Sequence, residues 1–519
     1  MRSLFAPVRP LLSARAVRRG AQHALMPVSR RAARAMALVL CACLELQPIA
    51  GLHAQTVRLP DLGDESQALL TPLQERRLGE SVVRQIRAAG AYLDDPEVND
   101  YLNLLGHRLV TAIHDNQTDF EFFPVADPGI NAFALPGGFI GVNTGVILLA
   151  QTESELASVL AHEVSHVTQH HLTRAVAGQQ RSMLYSLAAL ALGIAAARSG
   201  SSSSGQVAQA GIAGAQALAM QSQINYTREH EYEADRIGFA RLEAAGFDVT
   251  APATLMERLQ KTTRFADTTA PSYLRTHPVT FERIAEAQTR AQGKPYRQVA
   301  DSLDFHLVRA LLRSYQGTPK EATDFFRDAL KEHKYNSEVA AQYGLVASLL
   351  RGNDLARAKV ELVKLEKIAP AHPMVDAMAG HVLMESGDLK AALERFEVAL
   401  AKYPNKMQLV YDYPETLLKA HRPRDAVVFV ERELARFPGN GPLHRLAARS
   451  YAELGRSMQQ HLHQGEFYAW QGDTKGAIFQ LELAAKAKDG DFYVSSVVDT
   501  RLRALRRELE EEKALAKNG

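Results

Sequence analysis

The sequence predicts an α+β protein that is mainly α: helices around a small β-sheet, followed by an α-helical solenoid. Three observations predict it. The string His162-Glu163-Val164-Ser165-His166 sits inside a helical hydrophobic pattern. Short strand-like segments with Pro-Gly turns precede that helix. Beyond about residue 300, proline and apolar positions recur every 34 residues.

A chain of 519 residues exceeds one ordinary core, so two folded units with appendages are expected. We expect an N-terminal extension over residues 1–54, a catalytic unit over 55–300 and repeats over 301–519. The formal charge is +2, but eight Arg against Glu45 give residues 1–54 +7 of it and leave −5 for the remainder. That mildly acidic remainder has no basic stripe, which argues against a nucleic-acid partner.

The first 54 residues read as an export signal. Arg30, Arg31 and Arg34 precede the apolar run Met36 to Cys43, and Leu52-His53-Ala54 offers a cleavage site before Gln55. The Arg-rich stretch ahead is long for such a signal, so Met26 or Met36 is an alternative start. Both cysteines, Cys41 and Cys43, fall inside the signal, and cleavage after Ala54 leaves a cysteine-free chain suited to an oxidising compartment. No later segment reaches the roughly 20 apolar residues of a membrane span. Two apolar arms, Met183 to Ala197 and Val207 to Met220, flank the Ser/Gly run 199–205. They read either as a core hairpin or as a lid or surface in peripheral contact with a membrane or partner.

Phe120 to Val125 and Gly138 to Val142 are strand-like, with Pro128-Gly129 and Pro136-Gly137-Gly138 as turns. A small sheet with a free edge can hold an extended peptide by strand addition. Thr152-Glu153-Ser154-Glu155 is a capping box that opens the next helix. Leu156, Val159 and Leu160 then form an apolar stripe leading to His162 and His166. Those histidines lie one turn apart on one face, so both imidazoles can reach one metal ion. Glu163 stands beside them as a base for water.

A catalytic zinc takes three protein ligands and leaves one position open. His170 continues the same face, but eight residues at about 1.5 Å each put it roughly 12 Å from His162. The metzincin pattern needs a Gly and a His where Gln169 and Leu172 stand, which excludes that class. The better third ligand lies in Arg228-Glu229-His230-Glu231-Tyr232-Glu233-Ala234-Asp235, a helix that Thr227 can cap and Gly246 can end. Glu231 and Asp235 share a face with Ala234 and Gly238, whose small side chains permit close approach to the motif helix. Glu231 is expected to ligate the metal. Asp235 is expected to accept a hydrogen bond from a ligand imidazole. A solvated acidic face is the bland reading of this segment, and the upstream motif outweighs it.

In the C-terminal half, Pro370, Pro404 and Pro438 are 34 residues apart, as are Ala358, Ala392 and Ala426, and Leu362, Phe396 and Val430. That period is the tetratricopeptide helix-turn-helix repeat. Gly352-Asn353-Asp354, Gly387-Asp388 and Gly472-Asp473 mark inter-helix turns. Glu321 to Leu330 and Ala477 to Leu483 look like degenerate repeats, and a charged helix over Arg501 to Lys517 fits a solvent-facing cap.

The pair His162-Glu163-x-x-His166 and Glu231-x-x-x-Asp235 resembles the gluzincin metallopeptidases related to the CAAX prenyl endopeptidase and the heat-shock protease HtpX. Asn131 to Gly138 and Asn143-Thr144-Gly145 are similar to segments ahead of the zinc helix in that family. The resemblance covers roughly residues 70–290, and the missing spans place the chain nearer the exported branch with C-terminal repeats. It implies a gluzincin zinc-protease fold with a small β-sheet followed by a tetratricopeptide solenoid. One Zn2+ per chain would be held by His162, His166 and Glu231, with Glu163 as catalytic base and Asp235 behind. It also implies that His277, in Thr276-His277-Pro278, is an inhibitory fourth ligand on a loop. The alternative for His277 is an oxyanion stabiliser. The implied activity is periplasmic endoproteolysis of unfolded or stalled outer-membrane proteins, with the β-barrel assembly machinery as a partner of the repeats. A repeat chaperone or scaffold in which proteolysis is secondary is the alternative.

Overall fold

The computed structural model describes residues 71–113, 118–173, 228–264, 272–295 and 297–518. The expected export signal, Thr227 and the apolar arms around the Ser/Gly run lie outside them. Helix α1 (Pro72–Ala88) starts at a full capping box between Thr71 and Gln74. Helix α2 (Pro96–Thr111) is capped by Asp95, whose carboxylate accepts from the N–H groups of Glu97 and Val98.

Three short strands follow: β1 (Glu121–Val125), β2 (Ala132–Leu135) and β3 (Phe139–Asn143). Their order is β1-β3-β2, with β1 parallel and β2 antiparallel to β3. β2 falls within the Asn131–Gly138 segment, where four residues are too few to show a period of two. The Asn103 amide on α2 clamps β1, donating to Phe122 O at 2.7 Å and accepting from Phe122 N at 3.0 Å. Gly137 turns β2 into β3 at φ 73°, where an added Cβ would lie 2.5 Å from the Arg76 backbone. Only glycine fits both constraints.

Helix α3 (Thr144–Leu149) leads into α4 (Glu153–Thr168), the helix of the His-Glu-x-x-His motif. The capping box there is only half formed. Thr152 accepts from Glu155 N, but the Glu155 carboxylate turns away to Gln151 N and to Arg258, which donates to it at 2.8 Å. Thirteen of the sixteen α4 residues are buried, so the helix is enclosed on all sides and not merely along a stripe. Around it lie α2, the sheet, α5 (Arg228–Ala244) and α6 (Ala251–Arg264), and the chain goes on to α7 (Ser272–Thr276) and α8 (Phe281–Gln292).

Helices α9 (Leu303–Ser314) to α20 (Phe492–Asn518) form the hairpins of the solenoid. Those used below are α11 (Glu338–Arg351), α13 (Pro373–Glu385) and α15 (Met407–Lys419). The period is physical. Ala358, Ala392 and Ala426 are all fully buried, and Asn353, Gly387, His421 and Gly455 adopt positive φ at 34-residue intervals. Gly380 is a seat for the Phe396 ring, which would lie 2.4 Å from an added Cβ. The last helix starts at Phe492, nine residues before the charged stretch, because Val498, Leu502 and Leu505 bury a stripe against the preceding hairpin. No helix of the described residues is long and apolar enough to cross a membrane.

One hydrophobic cluster runs from Leu102, Phe122 and Leu160 into Phe305, Leu311 and Val346, so packing continues across residue 300. A polar lock reinforces it. The buried Glu153 carboxylate accepts from Ser302 N at 3.1 Å, Ser302 Oγ at 2.6 Å and Tyr101 Oη at 3.1 Å. Asp301 returns the contact by accepting from Glu153 N at 2.7 Å. The first turns of α4 and α9 therefore cap each other.

Candidate metal centre

The i,i+4 spacing on α4 brings His162 and His166 together, with Nε2 atoms 2.9 Å apart. Helix α5 lies tightly against α4 because Gly238 has no side chain. A Cβ there would lie 3.2 Å from Ala161 and from His162 N. That approach carries Glu231 into the site, with Oε1 3.4 Å from His166 Nε2 and Oε2 3.5 Å from His162 Nε2. His277 follows α7 and points inward, with Nδ1 2.9 Å from Glu231 Oε1 and 3.3 Å from His162 Nε2. Tyr273 packs on its ring at 4.9 Å, and the Tyr273 N–H donates to Ile130 O, which ties this segment to the β1–β2 loop.

These four residues form the one group of its kind among the described residues, with one potential ligand atom from each lying within 4.8 Å of the others. Ligands about 2.0–2.1 Å from a tetrahedral zinc stand roughly 3.3–3.4 Å apart, close to the separations here. Glu163 is fully buried, and neither carboxylate oxygen has a hydrogen-bond partner. Its nearest ionic neighbour is His277 Nε2 at 3.6 Å. Three imidazoles, a carboxylate and a second buried carboxylate without a hydrogen bond fit a metal and a water far better than they fit a closed core.

The electrostatics follow from the neighbours. Burial opposes charge on His162, yet its hydrogen bonds with Asp235 and Glu231 carry it up to about 10. Burial holds His166 well below its ordinary value. Burial also opposes ionisation of Glu231, but His277, His162 and His166 hold it well below the usual carboxylate range. Asp235 is taken down to about 2 against the effect of burial, by His162 and Arg283. Burial raises Glu163, with His277 and His162 pulling the other way.

Each motif imidazole is braced from behind. His162 Nδ1 donates to Asp235 Oδ1 at 3.0 Å, as the sequence suggests. Asp235 is held in turn by Arg283, which donates through Nε and Nη2 at 2.7 and 2.8 Å. Arg283 Nη1 also donates to Pro278 O and lies at ion-pair distance, 2.7 Å, from Glu231 Oε2 without hydrogen-bond alignment. His166 is braced by His171, whose Nδ1 lies 2.8 Å from His166 Nδ1 and whose Nε2 lies 3.1 Å from Glu233 Oε2. With Nε2 of His166 kept free for a metal, His166 Nδ1–H donates to His171 Nδ1, and His171 Nε2–H donates to Glu233.

Sequence reasoning misses Arg283, His171, Glu233 and Tyr273. It also places His170 on the motif-helix face, which the structure corrects. The helix stops at Thr168, His170 adopts φ 52°, and the chain turns so that His171 comes back beneath His166. The adjacent His170-His171 pair is the only local signal.

Fold and site together define a metalloendopeptidase bearing a helical-repeat array. The profile of Peptidase family M48 matches residues 96–291. Over 448 residues the chain is 35% identical to a Vibrio cholerae protein provisionally named a beta-barrel assembly-enhancing protease, covering 85% of this chain and 90% of that one. It is 31% identical over 452 residues to the Yersinia pestis beta-barrel assembly-enhancing protease, covering 86% and 92%. The Escherichia coli protein of that name is 30% identical over 462 residues, covering 88% and 93%. The chain belongs to peptidase family M48, among the relatives of the beta-barrel assembly-enhancing proteases.

Proposed function

We propose that this chain is a periplasmic zinc endopeptidase that acts on outer-membrane β-barrel proteins stalled or misfolded during assembly. The observation that carries the reading is the convergence of His162, His166 and Glu231 beside the fully buried carboxylate of Glu163. These three residues would hold one Zn2+ per chain. When bound, zinc supplies the Lewis acidity that acidifies a water and polarises the scissile carbonyl.

The chain's own groups supply the rest. Burial raises the proton affinity of Glu163, which suits it to take a proton from the attacking water and return it to the departing amine. Strand β2 packs on α4 and pairs with β3 on one side only among the described strands. Its other edge can hold an extended substrate through backbone hydrogen bonds, with little demand on side chains. His277 acts as a latch in this reading. Its ring already stands in the ligand group, a position that favours an inhibitory ligand over an oxyanion donor.

The envelope location and the β-barrel substrates draw on the relatives' names and on the export signal that ends at Ala54. Docking of the repeats on the β-barrel assembly machinery draws on the same names. A second reading, an assembly scaffold in which proteolysis is secondary, draws on the continuous packing of the solenoid onto the catalytic half.

The test is cleavage of casein by the purified mature protein, with and without 1,10-phenanthroline, followed by zinc restoration. Chelator-sensitive cleavage recovered by zinc is expected, and chelator-resistant cleavage would overturn the assignment. His277→Ala should raise basal cleavage several-fold with zinc retained. Rescue of an outer-membrane assembly defect by Glu163→Gln would favour the scaffold reading.

A further inference from the structure

A second polar cavity lies away from the metal centre, between the N-terminus of α2 and the inner helices α9, α11, α13 and α15 of the solenoid. It encloses about 310 Å³. Its polar lining includes Asp95 and Glu97 from α2, and His381, Glu385 and Asp412 from the repeats. Leu311, Tyr343 and Met378 supply apolar wall.

Most charges at this cavity have structural partners. Asp95 caps α2 with Oδ1 and accepts from Tyr315 Oη at 2.6 Å with Oδ2. Glu385 pairs with Lys419 at 2.7 Å on the exposed rim. Arg351 spends its guanidinium on the carbonyls of Ser314 and Gly317. Asp100, close by on α2, accepts from Met407 N.

One carboxylate is left over and a second is only partly satisfied. Glu97 is 6% exposed, and no hydrogen bond or ion pair reaches its carboxylate among the described residues. Asp412 is also 6% exposed. Its Oδ1 accepts from Gln408, but its buried Oδ2 has no hydrogen-bond partner, and His381 Nδ1 lies 3.6 Å away. Lys406 is the nearest cation to Glu97, yet it forms no ion pair with it. A buried carboxylate with no partner, beside another that is only partly satisfied, is costly to stability unless a cation joins them.

The shape of the cluster decides which cation. A bare metal ion needs oxygens gathered tightly around one point. These carboxylates do not gather that way, because the His162 group alone meets such a criterion among the described residues. A long cation with an apolar stem fits instead, with its head between Glu97 and Asp412 and its stem on Met378 and Tyr343. Lys and Arg side chains have that build. We propose that this cavity is a recognition pocket for a basic side chain of a bound polypeptide, read jointly by the catalytic half and the repeats. It would anchor a substrate or client chain at an Arg or Lys, independently of cleavage.

The test is fluorescence anisotropy with the full chain carrying Glu163→Gln, which prevents turnover. The probes are two dye-labelled, extended Ala/Ser peptides, one with a central Arg and one with citrulline at the same place. The Arg peptide should bind at least tenfold more tightly. Glu97→Gln and Asp412→Asn should each remove most of that preference without lowering the melting temperature. Met378→Lys should abolish it by filling the pocket with the protein's own ammonium. Equal affinity for the two peptides, or a preference unchanged in Glu97→Gln and Met378→Lys, would overturn the proposal. Displacement of the Arg peptide by millimolar Ca2+ at constant ionic strength would also overturn it, in favour of a metal site.

Discussion

Two places in this molecule bury carboxylates, and their neighbours push them in opposite directions. At the metal centre, Glu231 and Asp235 fall below the usual carboxylate range because His162, His277 and Arg283 stand against them. In the solenoid cavity, Asp95 and Glu97 rise. Burial acts on both sets alike, but Glu97 faces Asp95, Asp100 and Asp412 with only Lys406 opposing. Burial alone therefore does not define a site; the balance of partners does. The metal centre has its compensating charges built in. The cavity has only His381 beside Asp412 and a distant Lys406 for Glu97, and leaves the Glu97 carboxylate for a cation from outside.

The largest expected effect breaks the first half of that comparison. Glu231→Gln should remove zinc from the purified protein and reduce casein cleavage to background, a loss of at least about a thousandfold. Retained stoichiometric zinc in that variant would show that Glu231 is not a ligand. Next come the braces. Asp235→Asn and Arg283→Met should each weaken zinc binding about 10–100-fold in a chelator competition. His171→Phe should weaken it about tenfold, because His166 loses the acceptor that fixes its tautomer.

pH separates the two places further. Folded Asp235 binds protons more weakly than the unfolded chain does. In metal-free protein its contribution is fully present above about pH 4 and lost as pH falls toward about 2. Glu97 has the opposite sign. Its folded carboxyl holds a proton more tightly, so its penalty is present above its raised value and gone below about pH 4.5, the ordinary Glu value. Glu97→Gln should therefore raise the melting temperature by about 1–2 °C at neutral pH and by nothing near pH 4. A fall at neutral pH would show that the carboxylate is already satisfied. This is the smallest expected effect.

What the sequence reveals follows the same divide. Features set by spacing along one chain segment are legible. The 34-residue period emerges as buried alanines and left-handed turns, and the i,i+4 pairs His162/His166 and Glu231/Asp235 emerge on facing helices. Gly238 marks the contact between those helices because closeness needs a missing side chain. Features set by residues far apart leave no such trace. Arg283 meets Asp235 across 48 residues, and Glu97 and Asp412 line one cavity only because repeat helices pack on α2. The half-formed capping box at Thr152 fails for the same reason. The Glu155 carboxylate is shared by Gln151 N and by Arg258, 103 residues away, and not by Thr152 N. Even His171 is a local residue made legible only by a helix end that periodicity does not forecast.

The account rests on Glu163 being a base and not a ligand. The direct measurement is zinc content and casein cleavage of Glu163→Gln beside the parent protein. The predicted result is one zinc per chain in both, with cleavage lost in the variant. Cleavage at the parent rate, or loss of zinc along with activity, would contradict it.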